Sequence, residues 1–99
     1  MKTPSLLETV LETLRCHRTE LTAQFPVRRI AVFGSVARGD ASDRSDVDIL
    51  VEVDPSIGWE LVILADQLEA LLGRKVDLVS RRGIKPSLWK HIEPELVDV

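Results

Sequence analysis

The sequence has 99 residues, 44% of them hydrophobic and 29% charged, with a formal net charge of −3. That length suits one domain over residues 1–99 around a single core. No apolar run approaches a membrane span and no continuous apolar leader follows Lys2, so neither a membrane nor a secreted protein is expected. The mildly acidic balance with interspersed signs speaks against direct nucleic-acid binding, and the lone Cys16 excludes an internal disulfide and fits a reducing cytoplasm.

Thr3-Pro4-Ser5 opens a first helix, expected over 4–24, with Ser5-Leu6-Leu7-Glu8 reading as a capping box. Leu7, Val10, Leu11, Leu14 and Leu21, with Phe25 at the end, recur at helical spacing, and Pro26 closes the segment. His17 and Arg18 interrupt that stripe and belong on the wet side. Arg28 to Gly34, with its apolar run Ile30-Ala31-Val32-Phe33, reads as a first buried strand, and Asp46 to Val53 as a second. Between them, Val36-Ala37-Arg38 can make one helical turn before a polar loop over 40–45.

Asp54-Pro55-Ser56-Ile57-Gly58 breaks the second strand. Leu61, Leu64, Ala65, Leu68, Leu71 and Leu72 then mark an amphipathic helix over 59–72, with Gly73 as its stop. Lys75 to Ser80 is a third strand, and Arg81-Arg82-Gly83 a turn. Lys85-Pro86-Ser87 starts a short last helix with Leu88, Trp89 and Ile92 on one side; Leu96 to Val99 is extended. A strand joined to the next through a helix makes strands two and three parallel, with a right-handed crossover. Strands one and two must be antiparallel for the stretch between them to form one site. The fold class is therefore α/β (α+β): a small mixed sheet of three to four strands flanked by helices.

The stretch from Gly34 to Asp48 organises the rest. Asp46 and Asp48 stand two apart at the head of a buried strand, where i and i+2 share a face. Two neighbouring carboxylates repel each other and resist desolvation, so stability alone does not put them there. A divalent cation with hard oxygen ligands explains them, and magnesium suits such a set. Asp77, inside the apolar run Val76-Asp77-Leu78-Val79, would fall beside them and share that cation. Plainer readings exist for each residue taken singly. Gly34-Ser35 is an ordinary turn, Arg38 a surface charge, Asp46 a cap on the Ser45 turn, and Asp77 a partner of Arg74 or Lys75.

Gly34-Ser35, a ten-residue gap and Asp46-Val47-Asp48, sharpened by Ala37-Arg38-Gly39 and Ser45, and followed by Asp77 on a later strand, resemble the signature of the DNA polymerase β-like nucleotidyltransferases. The chain resembles, in particular, their minimal nucleotidyltransferase (MNT) proteins. The resemblance implies that fold, and a site in which Gly34, Ser35, Arg38 and Ser45 bind the nucleotide. Asp46, Asp48 and Asp77 would be catalytic and hold two Mg2+ ions, with ATP as substrate. The physical roles agree: a glycine admits the close approach of a triphosphate, and the planar fork of an arginine pairs phosphate oxygens.

Larger members carry acceptor-binding domains for which this length leaves no room, so the expected acceptor is a partner protein. The resemblance implies a cognate all-helical HEPN ribonuclease toxin, neutralised by transfer of AMP from ATP to a toxin tyrosine in the manner of a type VII-like antitoxin. The chain itself has no tyrosine, which is consistent with an acceptor in trans. Two alternatives stay open: a non-catalytic antitoxin that only binds its toxin, and the catalytic subunit of a small-molecule nucleotidyltransferase. Residues 85–99 either dock that partner through Trp89 or complete the core.

Overall fold

The computed structural model describes residues 3–99. Helix α1 (Leu6–Gln24) is followed by strand β1 (Val27–Phe33), the short helix α2 (Gly34–Arg38), strand β2 (Val47–Val53), helix α3 (Glu60–Leu72) and strand β3 (Val76–Ser80). Helix α4 (Pro86–Ile92) and the two-residue strand β4 (Val97–Asp98) complete the chain, with 3-10 turns at Arg81–Gly83 and Glu93–Glu95.

The four strands form one mixed sheet in the order β3-β2-β1-β4. β1 runs antiparallel to β2 and to β4, and β2 runs parallel to β3. The topology argued from the connections is therefore the one found. The crossover between the parallel pair is α3, whose apolar residues at i, i+3 and i+4 need a sheet to cover.

Strand parity divides the sheet into two faces. Val47, Ile49 and Val51 of β2 lie opposite or beside Val32, Ile30 and Val76. All of these belong to one buried cluster with Val10, Leu11, Leu14 and Leu21 of α1 and Leu64 and Leu68 of α3. The alternate residues of β2, namely Asp48, Leu50 and Glu52, pair with Phe33, Ala31 and Arg29 of β1 on the other face. One face thus builds the core and the other carries the carboxylates. Leu50 and Ala31 are also fully buried, so the carboxylate face is apolar in the middle and charged at its ends.

The local signals explain the element ends. Ser5 Oγ accepts the N–H of Glu8 at 3.1 Å and starts α1. Gly73 ends α3 in the left-handed region (φ 64°) and donates its N–H to Glu69 O. Three expectations shift slightly. α2 begins at Gly34 itself, directly where β1 stops, and β2 begins at Val47, leaving Asp46 just ahead of the strand. His17 is half-buried, with Nδ1 2.9 Å from Thr13 O, while Arg18 is exposed as expected.

Candidate active site

The carboxylates meet at one end of the sheet. Asp48, the second residue of β2, pairs in register with Phe33 on one side and with Asp77 of β3 on the other. Adjacent strands lie about 4.8 Å apart, so the Asp48 and Asp77 carboxyls are lateral neighbours. Asp46 precedes β2 by one residue and shares the parity of Asp48. Asp46 and Asp77 are exposed and Asp48 is half-buried. The sequence-assigned triad is therefore brought to one place by strand register.

Gly34 closes this end from above. It follows Phe33 directly and has a positive φ of 73°. A Cβ at that position would lie 2.9 Å from Asp48 Cγ and closer still to Oδ2. The backbone here passes against the Asp48 carboxyl with no room for any side chain. Only glycine accepts both the conformation and the approach. Ser35 is half-buried, and its carbonyl takes the N–H groups of Gly39 and Asp40 at 3.0 and 3.1 Å, tightening the turn that presents Arg38.

Among the described residues, no hydrogen-bond donor or ion-pair partner satisfies the side chains of Asp46, Asp48 or Asp77. Arg74, one of the plainer partners for Asp77, donates instead to the carbonyls of Ser45 at 3.1 Å and Ser42 at 3.4 Å, tying the 40–46 loop to the end of α3. Ser45 Oγ closes its own loop by accepting the Ser42 N–H at 2.9 Å. Its visible work is therefore to shape the loop that delivers Asp46. Burial, and then the charges of Asp77 and Asp46, hold the Asp48 carboxyl above the usual carboxylate range.

Arg38 is not an idle surface charge. Its Nη1 donates to Glu95 Oε1 and Oε2 at 3.0 Å, and its Nε to Asp40 Oδ2 at 3.2 Å. Glu95 Oε2 also accepts the Gly34 N–H at 3.1 Å. Glu95 is the site residue that sequence reasoning missed. Nothing local distinguishes it from Glu93, and 61 residues separate it from the glycine it contacts.

Three unpaired oxygen-donor side chains around one half-buried carboxylate are the donor chemistry of a hard divalent cation. Among the described residues, no three His, Cys, Asp or Glu side chains stand close enough together to hold a metal ion as they are placed. Asp48, flanked by both of the others, would be the shared ligand.

A small mixed sheet that sets a glycine-serine turn against a trio of carboxylates defines the nucleotidyl-transferring class of α/β proteins. Residues 14–99 match the nucleotidyltransferase domain, and the chain belongs to that family. It is 44% identical over 95 residues to the protein adenylyltransferase MntA of Thermococcus cleftensis, a match covering 94% of this chain and 95% of that protein. Among solved structures, one described as a candidate minimal nucleotidyltransferase superimposes with a TM-score of 0.75 at 41% identity, covering 90% of this chain and 95% of the other. The fold is also shared, at 23% identity and a TM-score of 0.66, with a chain of the tri-AMPylated Shewanella oneidensis HEPN toxin in complex with MNT antitoxin; that match covers 90% of this chain and 70% of the other. No helix among the described residues is long and apolar enough to cross a membrane.

Proposed function

We propose that the chain is a magnesium-dependent protein adenylyltransferase that moves AMP from ATP onto a tyrosine of a cognate HEPN toxin and thereby acts as its antitoxin. The observation that carries this reading is the Gly34 backbone pressed against a half-buried, unpaired Asp48, with Asp77 beside it in register. A stability-driven fold would pair or remove such a group; a site for a polyanionic substrate and its cations keeps it. The MntA relative, a protein adenylyltransferase, supports a protein acceptor, and the fold shared with a chain of an MNT–HEPN complex is consistent with a HEPN partner.

In this reading Gly34, Ser35 and Arg38 receive the phosphates of ATP, and Ser45 shapes the loop that carries Asp46. Asp46, Asp48 and Asp77 are the residues that would hold two Mg2+ ions; when bound, these would supply charge neutralisation at the phosphates and acidify the attacking hydroxyl. The acceptor oxygen forms a bond to the α-phosphorus while the bond from that phosphorus to the bridging oxygen breaks, and pyrophosphate leaves with its electron pair. The tyrosine proton passes to Asp77, which is exposed and can release it to water. The protein contributes mainly alignment and electrostatic stabilisation, as phosphoryl chemistry generally requires.

The test is intact-mass spectrometry of the cognate helical protein after incubation with this chain, ATP and magnesium. We expect mass gains of one or more AMP units, absent with Asp48→Asn. An unmodified partner that is nevertheless bound and silenced would replace this reading with stoichiometric inhibition.

A further inference from the structure

We propose that Glu95 is an internal anion that occupies the phosphate position of the site and has to be displaced when a nucleoside triphosphate binds; the proposal rests on the phosphate-binding role just assigned to Gly34 and Arg38. A single Glu95 oxygen, Oε2, accepts both the Gly34 N–H at 3.1 Å and Arg38 Nη1 at 3.0 Å, while Oε1 accepts the same Nη1 at 3.0 Å. A glycine amide and a guanidinium converging on one anionic oxygen form the donor set that a phosphate oxygen requires. Carboxylate and phosphate therefore compete for the same two donors.

The contact is built into the fold. The Glu95 side chain is 29% exposed against 48% for Arg38, so the carboxylate is the better covered member of the pair. Its turn is closed by the Leu96 N–H on Glu93 O at 3.2 Å. The residues just beyond are pinned independently. Asp98 and Val97 pair with Ala31 and Val32 of β1. Arg15 and Arg18 of α1 donate to the carbonyls of Asp98 and Val99. The backbone can stay in place while one side chain swings away.

The arrangement has two consequences. While Glu95 and Asp40 hold Arg38, the guanidinium cannot fold over onto Asp48, so the carboxylates stay open to cations. Once a triphosphate takes the same donors, the Glu95 charge is left next to phosphate and must turn to solvent. A site that has to open first binds with an affinity reduced by the fraction of open molecules.

Calorimetric titration with ATP plus magnesium, and separately with inorganic tripolyphosphate, tests this on the full chain. Glu95→Gln keeps the shape and removes the charge. We expect it to bind both probes about five-fold or more tightly than wild type, the difference between a charged and a neutral hydrogen bond. Arg38→Ala should bind both more weakly, and adding Glu95→Gln to it should bring a smaller gain than in wild type, from release of the Gly34 N–H alone. Binding by Glu95→Gln that is unchanged or weaker, with Arg38→Ala still weakened, overturns the proposal and leaves the site reading intact. Wild-type binding by Arg38→Ala overturns both. A measurement on wild-type protein covers the case of a misfolded variant. Saturating tripolyphosphate should shift the NMR signals of the Gly34 amide and of the Glu95 side-chain carboxyl together, and a Gly34 shift without a Glu95 shift overturns the proposal.

Discussion

Gly34 and Asp48 are tightly apposed, and both sides of the contact can be perturbed. Adding one methyl at Gly34 meets the Asp48 carboxyl and enforces a positive φ on a residue with a Cβ. The conformational part alone costs about 1–2 kcal/mol. We expect Gly34→Ala to lower the urea midpoint and to lose ATP binding, and a variant with wild-type stability and affinity would show that the glycine is not needed. Asp48→Asn works in the opposite direction. The carboxyl is raised on folding by burial and by its acidic neighbours, so the folded state holds that proton more tightly than the unfolded one. The stability it contributes is fully present below the ordinary carboxylate pKa and is lost as pH rises through the raised value. Without divalent cations, wild type should therefore lose melting temperature relative to Asp48→Asn as the pH climbs from about 4 towards neutrality. Magnesium should then stabilise wild type and leave the variant unmoved. Parallel melting curves at every pH would remove the electrostatic assignment.

Among the elements, β2 organises the site, because it is central, antiparallel to one neighbour and parallel to the other. That mixed pairing brings the end of β1 and the start of β3 to the same pole, so Gly34 and Asp77 both flank Asp48. β4 is the shortest strand. It has two residues and is held by Arg29, whose Nε meets Asp98 Oδ1 at 2.7 Å while Nη1 meets Glu52 Oε2 at 3.2 Å. The Arg29 hydrogen bond holds the Asp98 carboxyl below the usual range. The sign is opposite to that of Asp48: this stability is present above the ordinary aspartate pKa and is lost as pH falls through the lowered value. Asp98 is largely exposed, so we expect Asp98→Asn to cost only about 0.5–1 kcal/mol at neutral pH. Amide exchange at Val97 and Val99 should quicken more than in β2. Uniform acceleration across the sheet would mean that β4 is integral to the core instead.

In the molecule as a whole, the C-terminal tail divides between core and surface. Val97 and Val99 pack against the core cluster. Trp89 does otherwise: it is half-buried, with the Arg81 guanidinium 3.8 Å from its ring centroid, and the neighbouring Leu88 is 54% exposed. A cation–π pair at an exposed site is worth about 0.5–1 kcal/mol, whereas truncating a core aromatic costs about 3–5 kcal/mol. Trp89→Ala should accordingly lose about 1 kcal/mol or less of the isolated chain's stability in urea denaturation. A loss in the core range would assign α4 to the core and take Trp89 out of any docking surface.

The sequence by itself determined whatever short-range chemistry specifies. Helical periodicity from Leu7 to Leu21 and from Leu61 to Leu72, the stop at Gly73 and the apolar runs on either side of Gly34 mark every major element, because propensity and patterning act within a few residues. Asp48 and Asp77 stood out in the same way, since each interrupts an apolar strand where a lone charge is costly, with Asp46 two residues ahead of Asp48. How charges far apart in the chain are shared emerges only from packing. Arg38 turns out to be engaged by Glu95, Arg74 by the Ser42–Ser45 loop rather than by Asp77, and Arg29 by the last strand. An ion pair has no periodicity and no fixed spacing. Its partner is set by which side chains the packed sheet brings within about 4 Å, and that information exists only once β1, β2 and the C-terminal turn have met.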